Sequence, residues 1–352
     1  MTGAKTFTII VGVIIVIVLL LSIVRFFLTR DGSEEAQVEG PVVIPTLYKS
    51  TDGGATWQGF GEFRGGLVTT LDFDSASQNN LLVGTFARGV WRGTVAGTEW
   101  QQYPGGVGET ARIFDLIEPA RGDEFLALVL FTNRGRIIRY RDGNRTELFF
   151  TPLERFAFLK GYKTVAGFLR VIGSDGGFYE SRNSGQTWRP VSRFQSGLLA
   201  MTFDPRRDNE IWVVDPGGNF YRSVNGGNFW TDLTEGLREF GGYQQLGFIF
   251  FDEVSGMLFH GSKHGLLRSF DRGVSWEFVN MPVAPESLPA TSMAVDPRNS
   301  MKMYVAAQNQ VYISEDGGVS WRGIRVAETG VISNMLINPR NTKEIFIGFS
   351  RI

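Results

Sequence analysis

The sequence predicts an all-β fold, a β-propeller of seven blades, because one turn motif recurs at a nearly constant interval. Five octets share the pattern Ser-x-Asp/Asn-x-Gly-x-x-Trp, and they begin at Ser50, Ser181, Ser223, Ser269 and Ser314. The last three intervals are 42, 46 and 45 residues, and the first is 131, close to three such periods. A period of about 40–50 residues with glycine and tryptophan at fixed places is typical of four-stranded propeller blades.

Two incomplete copies of the octet fill the long first interval. The segment from Gly93 to Trp100 keeps the glycine and the tryptophan and begins 43 residues after Ser50. The segment from Tyr140 to Asn144 begins 47 residues further on and keeps only the acid and the turn. Together with the five full octets these copies make seven units, one for each predicted blade.

Each recurring position of the octet has a structural reason. The short acid or amide accepts backbone hydrogen bonds and closes a tight turn, and the glycine adopts a backbone conformation that other residues resist. The tryptophan begins the next strand and packs its ring on the core. These residues are therefore predicted to be structural: Asp52, Asn183, Asn225, Asp271, Asp316, Trp57, Trp188, Trp230, Trp276 and Trp321.

The two ends of the ring are predicted to share one blade. Ile332–Asn338 and Glu344–Gly348 have the pattern of a blade's first two strands, and the chain stops there. Leu47–Lys49 runs into the first octet with no complete pair of strands before it. We therefore expect the outer strands of that blade to come from the N-terminal side and the inner strands from the C-terminus, so that Pro41–Ile352 forms one domain.

An apolar run near the N-terminus predicts a transmembrane helix. Phe7–Leu28 has 22 residues, enough to cross a bilayer at about 1.5 Å per residue. It follows a short head, residues 1–6, and precedes a polar tether, residues 29–40. A signal peptide is the alternative, but the run exceeds the usual apolar region of about 7–15 residues and no small-x-small cleavage pattern follows it. We therefore expect an uncleaved anchor that contacts the lipid bilayer.

The charges on either side of the apolar run do not decide its orientation. Lys5 and the amino terminus precede the run, whereas Arg25 and Arg30 lie at its far end. Large domains that follow a short head are commonly exported. We therefore predict a single-pass membrane protein with the propeller on the exported side, periplasmic or lumenal.

Composition excludes several classes of function. The formal net charge of −1 gives no bulk attraction to nucleic acid. The absence of cysteine excludes disulfides, thiol catalysis and cysteine–zinc sites. The two histidines, His260 and His264, lie around a turn rather than on a helix face, so we predict no metal site and no cofactor. Of 35 basic residues 28 are arginine, which is the better residue for partner contacts.

Two groups of arginines are candidates for partner binding. One lies in the third unit, which lacks a full octet, and the other lies in or beside the predicted loops between blades. The alternatives are a solvated strand face for the first group and, for the loops with their glutamates, acid–base chemistry on a glycoside. The candidate residues are Arg134, Arg136, Arg139, Arg141 and Arg145 in the first group, and Arg64, Arg193, Arg238 and Arg325 in the second.

The octets resemble the Asp-box, or bacterial neuraminidase repeat. This box occurs in sialidases, xyloglucanases, sortilin-type receptors and the photosystem II assembly factor propellers. The resemblance implies the propeller fold and turn-forming rather than catalytic aspartates. Sialidases carry a Phe-Arg-Ile-Pro motif before the first box, but this chain has Val42-Val43-Ile44-Pro45 and lacks that arginine. The resemblance therefore does not favour a sialidase.

The whole chain looks most like the photosystem II assembly factor propellers, with an added transmembrane anchor. The resemblance implies a non-enzymatic structural or assembly subunit that binds integral membrane protein subunits, for example in a photosynthetic reaction-centre complex. We accordingly predict no enzymatic activity and no catalytic residue. The alternative is a carbohydrate-active enzyme or glycan-binding propeller at the cell surface. A sortilin-like peptide receptor is a third possibility, although its cysteine-rich companion domain is absent from this sequence.

Overall fold

The all-β, seven-bladed architecture is confirmed. The structure, a computed structural model, describes residues 45–74, 77–103, 111–117, 124–151, 154, 156–282 and 289–351. Within these residues, twenty-eight strands form seven four-stranded antiparallel sheets, and one 3-10 turn lies at Thr234–Leu237. The described residues contain no helix long and apolar enough to cross a membrane. The predicted anchor, Phe7–Leu28, lies outside the described residues.

The strands alternate with short turns along the chain. In order they are β1 (Leu47–Ser50), β2 (Gln58–Gly59), β3 (Val68–Asp74), β4 (Ser77–Thr85), β5 (Val90–Thr94), β6 (Gln101–Gln102), β7 (Arg112–Ile117), β8 (Glu124–Phe131), β9 (Arg134–Arg141), β10 (Asn144–Phe150), β11 (Phe158–Lys163), β12 (Leu169–Gly173), β13 (Gly177–Ser181), β14 (Arg189–Arg193), β15 (Ala200–Phe203), β16 (Ile211–Val214), β17 (Phe220–Ser223), β18 (Thr231–Asp232), β19 (Leu246–Phe251), β20 (Leu258–Ser262), β21 (Gly265–Ser269), β22 (Glu277–Phe278), β23 (Ala290–Asp296), β24 (Asn299–Ala307), β25 (Gln310–Ser314), β26 (Arg322–Arg325), β27 (Val331–Ile337) and β28 (Ile345–Arg351).

Six blades are built from four consecutive strands, and the seventh joins the two ends of the ring. We number the consecutive blades 2 to 7, from β3–β6 to β23–β26, and call the mixed sheet blade 1. Blade 1 has the order β2-β1-β28-β27. Leu47–Ser50 of β1 pairs antiparallel with Ile345–Gly348 of β28. This pairing closes the ring through backbone hydrogen bonds, so that the first and last strands of the chain share one sheet instead of leaving two unpaired edges.

The first strands of all seven blades line a central channel. Each of them contacts the first strand of the next blade, from β3 through β7, β11, β15, β19, β23 and β27 back to β3. We call the side of the ring that carries the loops between consecutive blades the upper face. The octets and the turns between first and second strands lie on the opposite, lower face.

The core consists of apolar clusters between adjacent blades. Between blades 4 and 5, for example, the ring of Phe178 packs edge-on against Trp230 with centroids 5.5 Å apart. The alternation of strand residues explains this arrangement, because each blade presents apolar side chains to both neighbours. Burial of one such side chain contributes about 1.5–3 kcal/mol.

The five full octets share one hydrogen-bond pattern. In the blade 7 copy, the hydroxyl of Ser314 donates to Asp316 Oδ1 at 2.8 Å and accepts the N–H of Gly318 at 2.8 Å. Asp316 Oδ1 also accepts the N–H of Ser320 at 2.9 Å. Hydrogen bonds from the Ser320 side chain and backbone, followed by Ser314, lower the pKa of Asp316 to about 2. Among the described residues, the hydrogen bonds that this carboxylate accepts come from its own turn.

The two incomplete octets form different turns. In blade 2, Trp100 Nε1 donates to the carbonyl of Gly97 at 3.0 Å, the contact that Trp188 makes with Gly185 in blade 4. In blade 3, Asp142 and Gly143 have positive φ angles of 49° and 72° and connect β9 to β10 directly. Two such residues are typical of a tight hairpin turn.

Candidate partner-binding surfaces

The arginines of blade 3 lie on both faces of β9 rather than on one. Ile138 packs in the cluster toward blade 2, and Ile137 packs in the cluster toward blade 4. Since side chains alternate along a strand, Arg136 lies on the blade 2 side, whereas Arg139 and Arg141 lie on the blade 4 side. The five candidate arginines of this blade do not form a single patch.

Acidic side chains of the same blade neutralise most of this arginine group. Arg136 contacts Glu147 at 2.5 Å, and Arg145 lies 4.0 Å from the same carboxylate. Arg141 is paired with Glu124, whose side chain is buried. These contacts support the sheet through cross-strand pairing. Their guanidinium groups are therefore already engaged before any partner binds.

The arginines predicted on the loops and outer strands all lie toward the upper face. Arg193 contacts Asp175 at 2.9 Å, Arg238 contacts Glu235 at 2.5 Å, and Arg325 contacts Glu328 at 3.9 Å. All three arginines are more than half exposed, and such pairs contribute about 0–1 kcal/mol. Arg64 donates instead to the carbonyls of its own loop.

The upper face of blades 2 and 3 carries arginines without acidic partners. We call Arg64, Arg88, Arg112 and Arg134 the upper arginine group; none of the four forms an ion pair with a residue that the structure describes. Arg88 and Arg64 are adjacent, since Arg88 Nη1 donates to the carbonyl of Arg64 at 3.0 Å. These four arginines therefore bring positive charge to the upper face of blades 2 and 3.

The lower face of blades 5 to 7 carries exposed apolar side chains on successive octets. They are between 49% and 79% exposed, and we call them the octet-turn row: Val224, Phe229, Phe270, Val274 and Val319 from the octets, and Met301 near the start of β24. At the second and sixth octet places, blade 4 instead has Arg182 and Gln186. The lower face of blade 4 has an exposed apolar side chain at Val165, in the turn between β11 and β12.

The members of this row are connected across the blades. Val224, Phe229 and Val274 line one groove between blades 5 and 6. Arg268 lies over the ring of Phe270 at 5.1 Å and donates to the carbonyl of Gly317 in the blade 7 octet at 2.9 Å. A connected row of exposed apolar residues is typical of contact surfaces.

Three ionisable residues face the central channel from neighbouring blades. Asp115 of β7 accepts a hydrogen bond from Lys160 Nζ of β11 at 2.8 Å and another from the N–H of Gly161 at 3.0 Å. Asp72 of β3 accepts only the N–H of Phe73 within its own strand, at 2.8 Å. Burial, with a smaller contribution from the charge of Asp115, raises the pKa of Asp72 to about 6.

Sequence reasoning missed the octet-turn row and the charged residues of the channel. Five members of the row occupy the variable places of the octet, which were treated as spacers although their apolar character is visible in the sequence. Asp72, Asp115 and Lys160 are far apart in the chain and meet only because their strands start successive blades. Asp115 and Lys160 share one place in the repeat, just after the irregular residue of their strands, and this was the available signal for that pair.

Comparison with known proteins gives one curated relative and several similar folds. No family model matches the chain. A xyloglucanase of Hypocrea jecorina (strain QM6a) is 29% identical over 160 residues, which are 38% of this chain and 19% of the enzyme. The chain therefore spans about a fifth of the curated relative it matches.

Solved structures with the same fold include both an enzyme and YCF48. YCF48 from Cyanidioschyzon merolae has a TM-score of 0.66 at 15% identity and covers 84% of this chain and 99% of its own. YCF48 bound to a D1 peptide has a TM-score of 0.64 at 14% identity, covering 80% and 92%. The GH74 xyloglucanase from Xanthomonas campestris has a TM-score of 0.65 at 15% identity, covering 81% of this chain and 51% of the enzyme. At these identities the likeness shows the fold alone.

These comparisons correct one prediction. The sequence was expected to be that of a protein without enzymatic activity, and this prediction is wrong because the curated relative and one of the similar structures are xyloglucanases. The prediction relied on a missing sialidase arginine, which tests one class of enzyme only. The fold is similar both to YCF48 and to GH74 propellers.

Proposed function

We propose that this propeller is a structural or assembly subunit of a membrane protein complex and binds partner subunits through its surface. The octet-turn row is the observation that carries this proposal. Five of its six side chains project from octets of three consecutive blades and the sixth, Met301, from β24, where burial against a protein partner would remove apolar area from water. Phe229 and Phe270 are its aromatic members and fit the role of central contacts.

The similarity to YCF48 supports the same proposal. YCF48 has been solved with a D1 peptide, which is a protein ligand, and its fold covers most of this chain. The photosystem II assembly factor propellers that the octets resemble act on photosynthetic membrane complexes. We extend the proposal to a photosynthetic reaction-centre complex as the partner, with Phe7–Leu28 as a bilayer anchor and the ring on the exported side.

The proposal is tested by recovery of the partner complex from the native membrane. The full chain with Phe229→Ser and Val319→Ser is compared with Leu199→Ser, which alters a residue 45% exposed between β14 and β15, on the upper face. After mild detergent extraction we expect the double variant to lose most of the co-purifying membrane subunits while its Tm stays within about 2 °C. The control should retain them. Equal recovery from all three proteins contradicts the proposal.

A second function, binding or hydrolysis of a β-glucan, is favoured by the 160-residue match to a xyloglucanase. Assays with xyloglucan oligosaccharides separate the two proposals. Turnover, or saturable binding that survives Phe229→Ser with Val319→Ser, favours the carbohydrate function. Absence of both, with partner recovery dependent on the row, favours the assembly function.

A further inference from the structure

A recess opens at the upper mouth of the central channel. Its volume is about 440 Å³, within the range of about 300–1000 Å³ for small-ligand sites. The lining includes Thr69, Phe86, Arg112, Thr291 and Gln308, contributed by blades 2, 3 and 7. The walls of the recess therefore include both apolar and polar side chains.

Arg112 is the one member of the upper arginine group that lines this recess. Its guanidinium lies 5.1 Å from the ring centroid of Phe86 and 4.6 Å from that of Phe114. The two rings hold the planar group by cation–π contacts and orient it. Burial lowers the pKa of Arg112, although an arginine stays charged at neutral pH. By accessible surface the Arg112 side chain stays exposed, and its charge has no acidic partner among the described residues.

A second polar group in the recess has no partner. The hydroxyl oxygen of Thr69 is buried and makes no hydrogen bond within the described part of the chain. The neighbouring Thr291 hydroxyl, by contrast, contacts the carbonyl of Ile332 at 2.6 Å. The Thr69 oxygen has almost no solvent-accessible surface, so a ligand in the recess would contact Arg112 rather than this hydroxyl.

We propose that this recess binds a carboxylate presented by a partner polypeptide, either an acidic side chain or a free C-terminus. The guanidinium fork matches the two oxygens of a carboxylate. The exposed ring of Phe86 at the lip packs against the adjacent apolar part of the ligand. This inference rests on the proposed function, because it assumes a protein partner, but it concerns the opposite face from the octet-turn row.

Ligand-observed NMR with short probes tests the recess without the partner complex. Saturation transfer from the full chain in detergent is measured for N-acetyl-Leu-Ala, its C-terminal amide and N-acetyl-Glu-N-methylamide, and inorganic phosphate, which has no carbon-bound proton, is added as a competitor. We expect one or both carboxylate probes to bind and the amide not to bind. The stronger of the two carboxylate probes identifies the source of the ligand group.

Matched variants connect this binding to Arg112. Arg112→Met should weaken binding of the carboxylate probe at least tenfold, and Arg112→Lys should restore part of it. Arg322→Met, an exposed arginine of β26, should not change it. Unchanged binding by folded Arg112→Met, tighter binding of phosphate, or no binding of either carboxylate overturns the inference. These outcomes leave the partner-recovery test of the lower face unaffected.

Discussion

The raised pKa of Asp72 predicts that one channel carboxylate opposes folding at neutral pH. Its carboxylate lies deep in the channel, accepts one backbone N–H, and has no ion pair of the kind that joins Asp115 to Lys160. Burial raises the pKa of Asp72 to about 6, whereas an unfolded aspartate titrates near 3.8. The native state therefore binds a proton more tightly than the unfolded state does.

The sign of the stability change follows from this difference. Between about pH 4 and 6 the native state holds more protons, so the free energy of unfolding decreases as pH rises. Each unit of pKa difference corresponds to about 1.4 kcal/mol, which gives about 3 kcal/mol above pH 6 as an upper bound. Asp72 retains some contact with solvent, so about 1–2 kcal/mol is the expected effect. Asp72→Asn, which keeps the acceptor for Phe73, should therefore stabilise the protein by that amount at pH 8 and by nothing near pH 4.

Denaturant unfolding of the full chain, followed by the fluorescence of its eight tryptophans, measures this effect. Unfolding midpoints are compared for the natural chain, Asp72→Asn and Asp115→Asn at pH 8, 6 and 4. Asp115→Asn is the matched control with the opposite sign, because it removes the charge that Lys160 contacts at 2.8 Å. It should destabilise by about 1–3 kcal/mol at pH 8. Our reasoning is refuted if Asp72→Asn gives no gain at pH 8, or a gain that grows as the pH falls.

Three further predictions concern the blades. Burial would raise the pKa of Glu180, but hydrogen bonds from three arginines lower it to about 2. The stability that the ionised Glu180 gives the native state is therefore lost as the pH falls from about 4.5 to 2. Glu180→Gln should cost about 2–4 kcal/mol at pH 7 and little at pH 2.5, measured by thermal melting across that range. Asp316→Ala should speed hydrogen exchange of the Ser320 amide, which donates to Asp316 at 2.9 Å, without affecting β11. Gly273→Ala should lower the free energy of unfolding in denaturant by about 2–4 kcal/mol, because the glycine has φ +92° and an added Cβ would lie 2.5 Å from the Phe220 ring. The control is Gly61→Ala, where an added Cβ meets open space, and its free energy of unfolding should change by less than about 0.5 kcal/mol.

The parts of the fold that could be predicted are those encoded in short stretches of chain. An octet closes through hydrogen bonds between residues two to four apart, such as Ser314 to Asp316 and Asp316 to Ser320. Its composition therefore reveals the turn, and its repetition reveals the number of blades. No contact with another blade is needed for that inference.

The candidate sites could not be predicted in the same way, because their geometry depends on distant residues. Arg141 meets Glu124 across 17 residues, and Lys160 meets Asp115 across 45. Periodicity places the arginines on strands, but it does not show which acids neutralise them. A count of arginines consequently indicated one docking patch in blade 3, where the structure has opposite faces and internal pairs.

The incomplete octet of blade 3 has a structural explanation that needs no functional cause. Its hairpin of β9 and β10 turns at Asp142 and Gly143 and pairs over most of the seven residues of β10. The outer strands of the other six blades have two to five residues. The long ladder of blade 3 supplies through the backbone the hydrogen bonds that the serine–aspartate contacts supply in a full octet, whereas blade 2 combines an incomplete octet with a two-residue outer strand. The loss of the octet in this blade is therefore offset within the sheet, and it does not by itself mark a contact surface.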